Sequence, residues 1–138
     1  MNLARSLQIF ELMRLAVPVW DGRVSPLLDV AARLMVVDVI GGEPTFSEVH
    51  PLAGPGRVRA IAELGVEVLI CGAVSRDLED ELVASGIEVI AGIRGEVRAV
   101  VRAALRGSLM QPRFLLPGAQ SRRRQGRSPK PRAEAEVR

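Results

Sequence analysis

Val66-Glu67-Val68-Leu69-Ile70-Cys71-Gly72-Ala73-Val74-Ser75 carries an apolar run into a glycine turn and then a helix-capping serine. A short, nearly continuous aliphatic run bounded by Gly reads as a strand covered on both faces. Ser75 opens a helix whose first turns bear Asp77, Glu79 and Asp80, where negative charge meets the positive end of the helix dipole. Gly86 closes that helix. Residues 87–91 read as a further buried strand, and 96–106 as a helix with Val97, Val100, Val101, Ala104 and Leu105 along its apolar stripe. Upstream, Gly54 and Pro55 open a helix with Val58, Ile61, Ala62 and Leu64 at helical spacing, and Gly65 ends it. Strand-helix-strand units of this kind close through right-handed crossovers into a parallel sheet.

The N-terminal half has a different rhythm. Residues 15–20 form another apolar run, in which Pro18 cannot donate to a ladder and belongs at a bulge or where the neighbouring strand ends. Asp21-Gly22-Arg23-Val24 reads as a loop, with Ser25 as N-cap and Pro26 as first residue of a short helical turn reaching about residue 32. Residues 34–39 and 45–50 are strands joined by the permissive pair Gly41-Gly42. The second is half polar, with Phe46, Glu48 and His50 on one face, which suits an edge strand. The pattern predicts an α/β domain: a mixed five-stranded sheet with helices on its faces.

The chain has 138 residues, enough for one core and too few for two. With 48% hydrophobic and 25% charged residues, most of it should fold. No apolar run approaches the roughly 20 residues of a membrane-spanning helix. One Trp, three Phe and no Tyr leave little from which to build base-stacking platforms. A lone Cys excludes an internal disulfide, and with a lone His it excludes a four-ligand zinc site drawn from those types. The net charge of +3 is divided unevenly. Residues 119–138 hold seven basic and two acidic residues, which leaves about +5 in the tail and about −2 in the rest.

These features divide the chain into an extension over 1–12 without secretory character, a domain over 13–118, and a basic tail over 119–138 with a disorder composition. A cytoplasmic protein is expected. Within the domain, Phe114, Leu115 and Leu116 are expected to pack on the body as an extended segment.

Candidate chemistry concentrates at the strand ends. In α/β sheets, ligands settle outside the carboxyl ends of strands, near the amides of following helices. Cys71 and Gly72 stand at that address: Cys71 is either a thiolate ligand favoured by a helix N-terminus or a small buried hydrophobe. Asp21, Gly22 and Arg23 share the edge if the two strands are neighbours, and either hold an anionic ligand or form a capped turn. His50 is either a borderline metal ligand or a solvated loop imidazole. Two-metal nuclease chemistry would need carboxylates converging from strand ends, which are missing here. Cysteine catalysis would need a base, and His50 is the one candidate, on the far edge of the sheet. The run Arg122-Arg123-Arg124 could touch phosphates but carries no base-reading partners, and reads as a solvated tail.

Taken together, the blocks at 13–26, 29–31, 66–75 and 86–90, with Pro112-Arg113-Phe114-Leu115-Leu116-Pro117-Gly118, resemble the dinitrogenase iron-molybdenum cofactor biosynthesis family. The resemblance implies a ribonuclease H-like motif fold, a three-layer α/β/α sandwich. It also implies a non-enzymatic carrier of the iron-molybdenum cofactor or an iron-sulfur cluster in nitrogen fixation, working with cofactor-assembly or acceptor proteins as a monomer or dimer. By the same analogy, Cys71 would be the thiolate, Arg23 and the amides near Gly22 and Gly72 the anion partners, and His50 a second ligand. A metal-free interaction or regulatory module on the same fold is the alternative. Ala119 stands where relatives often continue Cys-Gly, so a ligand in the tail is missing. A preformed cluster needs only one or two protein donors, whereas a scaffold building one from ions needs several Cys ligands.

Overall fold

The computed structural model describes residues 12–52, 54–117 and 122–124. β1 (Leu12–Trp20) lies at the centre, antiparallel to β3 (Arg33–Ile40) and parallel to β5 (Val68–Ile70). β4 (Glu43–Pro51) pairs with β3, β6 (Glu88–Ala91) with β5, and the order across the sheet is β4-β3-β1-β5-β6-β7. All five expected strands form. Two short ones join them: β2 (Arg23–Val24), folded back on β1, and β7 (Arg122–Arg124), antiparallel to β6. The latter falls inside the tail expected to lack structure. Residues 1–11 of the expected extension, and the rest of that tail, lie outside the described residues.

Helices cover both faces. α3 (Val97–Arg106) packs Val97, Val100 and Val101 on Leu15, Val17, Val37, Val68 and Ile70. On the opposite face, α1 (Arg57–Glu63) and α2 (Arg76–Ala84) bring Ile61 and Leu82 against Ala16, Leu34, Val36, Leu69 and Val89. Alternate residues of the central strands therefore serve two separate cores, which is why those strands are apolar throughout. No described helix is long and apolar enough to cross a membrane.

Local chemistry accounts for most boundaries. Gly41 and Gly42, with φ of 60° and 84°, make the two-residue turn between β3 and β4. Ser75 Oγ accepts from Leu78 N at 3.3 Å and Glu96 Oε1 from Ala99 N at 3.0 Å, capping α2 and α3. Pro18 occupies the last β1–β3 rung, opposite Leu34, where the neighbouring strand ends.

Three expectations need correction. Ser25 does not cap a helix: the turn is a 3-10 helix at Leu28–Val30, because the chain at 25–28 is pinned to the β5–α2 connection. The segment expected to be extended over 114–116 is so at Leu115, which bridges Ile93, but Phe114 belongs to a 3-10 turn at Pro112–Phe114; Phe114 is buried in the α3-side core as expected. On β4, Met35 opposes Val49 while Val37 opposes Phe46, so a bulge inserts one extra residue. Phe46 thus shares the face of Val37, toward α3, and His50 the opposite face with Leu34.

Candidate functional site

β1, β4, β5 and β6 all run toward one edge of the sheet, so their carboxyl ends meet there with the start of β3. Because β1 and β5 are neighbours, the Asp21 loop and Cys71 do share that edge. They do not present their chemistry together.

Cys71 has no exposed surface and belongs to the aliphatic core on the α1 and α2 side. Strand parity is the cause. Ile70 points into the α3-side core, so Cys71 points the other way, among Ala16, Leu34, Leu69 and Val89. Its backbone continues the ladder, donating to Ile90 O at 2.9 Å and accepting from Ile93 N at 3.0 Å. The sulfur is not at the lip.

Gly72 is a packing glycine. A Cβ there would lie 2.7 Å from both Ser25 O and Pro26 O. The 25–28 segment is bound across it, with Ala73 N donating to Pro26 O at 2.8 Å and Leu28 N to Ala73 O at 2.9 Å. The helix ends beyond are filled from within the chain. Asp29 Oδ1 accepts from Ser75 N at 2.9 Å, placing a carboxylate at the start of α2, and Gly22 O accepts from Val97 N at 3.0 Å at the start of α3.

Asp21 and Gly22 form a two-residue hairpin turn with φ of 54° and 76°, joining β1 to β2. Arg23 is exposed on β2, its backbone paired with that of Glu96, and does not line the cleft beside it. His50 is half-buried on β4, with β3 and β1 standing between it and β5. At the usual strand spacing the two backbones are about 14 Å apart, so His50 and Cys71 cannot share one small ligand. Among the described residues no three His, Cys, Asp or Glu side chains gather as a metal site.

What the edge does offer is a cleft of about 750 Å³ at the end of β1. Trp20 and Asp21 line it from the strand end, Ser25 and Pro26 from beyond β2, and Val30 and Arg33 from the 3-10 turn and β3. Trp20 is 69% exposed and Val30 70%. Ser25 is buried, and its hydroxyl has no hydrogen-bond partner among the described residues. A smaller cleft of about 320 Å³ adjoins, sharing Ala32 and Arg33 and adding Val49, His50 and Pro51. Indole N–H, hydroxyl and guanidinium donors beside apolar surface can hold a bulky anion, and the His50 imidazole can ligate a borderline metal. Trp20, Val30 and Arg33 were missed in the sequence because Trp20 ends an apolar run that reads as core. The usable signal was parity, since Val19 is buried and Trp20 follows it outward.

Solved structures share this fold. The crystal structure of PH0822 is 23% identical, with a TM-score of 0.65 over 69% of this chain and 91% of that one. That of mj0327 from Methanocaldococcus jannaschii is 14% identical, with a TM-score of 0.59 over 71% and 92%. The apo form of the orange protein from Desulfovibrio gigas is 25% identical, with a TM-score of 0.57 over 80% and 97%. No functionally curated protein matches the chain. The family model for the dinitrogenase iron-molybdenum cofactor matches residues 11–107, and the chain belongs to that family.

Proposed function

We propose that this protein is a non-enzymatic carrier for a preformed iron-molybdenum or iron-sulfur cluster in cofactor assembly, with the anionic cluster seated in the cleft at the end of β1. The observation that carries this reading is the Ser25 hydroxyl, buried on the cleft wall with no hydrogen-bond partner among the described residues. A buried hydroxyl in that state favours a ligand that accepts from it. Family membership supports this cargo class. Arg33 balances the cluster's charge, Trp20 and Val30 offer apolar contact, and His50 is the single nitrogen ligand at this edge. A preformed cluster keeps its own bridging sulfides, so outer contacts and one imidazole suffice.

The burial of Cys71 supports a second reading, a metal-free interaction module on the same fold. Anaerobic loading followed by iron, molybdenum and sulfide analysis separates the two. The carrier reading expects bound metal and visible absorption that survive Cys71→Ala and fall in His50→Ala/Arg33→Ala. Metal at background in the parent protein, or absorption abolished by Cys71→Ala, would overturn it.

A further inference from the structure

Every fully exposed residue of α3 is an arginine: Arg98, Arg102 and Arg106, with Arg94 exposed four residues ahead of them. Spacing of i, i+4 lines the helical three up in one row, about 6 Å apart along the axis. Local physics opposes this arrangement. Like charges at i, i+4 repel, and Arg98, the second helical residue, faces the positive end of the helix dipole. A merely solvated helix face alternates signs, yet among the described residues none of these four arginines forms an ion pair. What holds the row is Phe46 on β4, whose ring centroid lies 4.3 Å from Arg98 Cζ and 5.6 Å from Arg102 Cζ. One ring thus orders two guanidiniums side by side and lowers the entropy a partner would have to remove. Across the sheet, α1 and α2 expose both signs, Arg59 and Arg76 beside Glu63, Asp77, Asp80 and Glu81, so the unmixed row is particular to α3.

We propose that the α3 arginine row is a docking surface for an acidic segment of a partner protein. Carboxylates at i, i+4 on a partner helix repeat at the same spacing of about 6 Å, and each planar guanidinium can take one in a forked contact. Half-buried Ala99 and Leu105 add apolar surface alongside. Nucleic acid fits less well. The Phe46 ring is occupied by guanidiniums and offers no base a stacking face. This surface is independent of the cluster cleft.

Fluorescence anisotropy with labelled poly-L-glutamate and, separately, a duplex DNA oligonucleotide tests the assignment on the full chain. Poly-L-glutamate is expected to bind more tightly than the DNA and to weaken as salt is raised. Arg98→Gln/Arg102→Gln should weaken it about tenfold, and Arg106→Gln, away from Phe46, about threefold. Arg59→Gln, on the opposite layer, should leave it unchanged. Far-UV circular dichroism checks the fold of each variant, and should the double variant not fold, Arg106→Gln alone decides. Unchanged poly-L-glutamate affinity in a folded row variant would overturn the proposal, as would DNA binding tighter than poly-L-glutamate and lost in the same variants.

Discussion

Gly72→Ala adds one methyl group where the structure leaves no room for it. The new Cβ would meet Ser25 O and Pro26 O at 2.7 Å, against an ordinary contact beginning near 3.4 Å, so something must move by about 0.7 Å. Neither neighbour is a flexible side-chain end. Pro26 O accepts from Ala73 N, Ser25 N donates to Pro18 O, and Gly72 O accepts from Gly92 N, all at 2.8–2.9 Å. Relief therefore stretches one or two backbone hydrogen bonds, at about 1 kcal/mol each, and adds overpacking of about 1–2 kcal/mol. The sum is about 2–4 kcal/mol. For a domain of this size that lowers the midpoint of thermal unfolding by about 6–20 °C, readable by calorimetry. Alanine keeps the amide N–H, so a glycine needed only for that donor would lose almost nothing. A midpoint within about 2 °C of the parent would refute the packing argument and restore Gly72 as an amide donor to ligand.

Two further outcomes follow from half-buried Arg14 and buried Ser25. Arg14 Nε lies 2.6 Å from Asp38 Oδ1 while its Nη1 donates to Leu64 O at 2.8 Å, tying β1 and β3 to the end of α1; Arg14→Met should cost about 1–3 kcal/mol in urea unfolding. The hydrogen bond and charge of Asp38 raise the Arg14 pKa above its ordinary value. That contribution is complete below the unfolded value and is lost only as pH rises through the folded one, so the gap between parent and variant should stay constant from neutral pH to about pH 10. Ser25→Ala should leave stability unchanged or raise it by up to about 1 kcal/mol, because the hydroxyl it removes has no partner among the described residues. The same variant should weaken cluster loading severalfold in the absorption titration, and a large loss of stability instead would show that the hydroxyl is satisfied within the fold.

The parts of the fold legible in the sequence are those decided by neighbours along the chain. Gly41-Gly42 sets its own hairpin, Ser75 caps the helix it precedes, and Gly65 and Gly86 follow the ends of α1 and α2 with φ of 77° and 90°. What sequence reasoning missed was decided by contacts far apart in sequence. Asp21-Gly22 carried a hairpin signal, but only the two residues of β2 follow it, too few to show alternation. Arg122–Arg124 reads as a tail by composition, yet the open edge of β6 pairs with backbone whatever its side chains. Pro26 reads as a helix start, but its carbonyl is taken by Ala73, and Asp29 reaches 46 residues along the chain to Ser75.

Cys71 shows why position along the chain does not give depth in the fold. Its position just past a strand, before a helix, correctly placed it at the carboxyl edge of the sheet. Depth along that edge depends on what lies above it, and here the 25–28 segment crosses Gly72 while Asp29 fills the start of α2. The edge that sequence reasoning expected to open beside β5 is closed by the loop leaving β1. That same loop leaves its opening one strand over, where Trp20, Ser25 and Arg33 line the cleft. The glycine that looked like a ligand-binding amide is thus the residue that lets the loop descend, and the loop's descent moves the opening from the cysteine to the tryptophan.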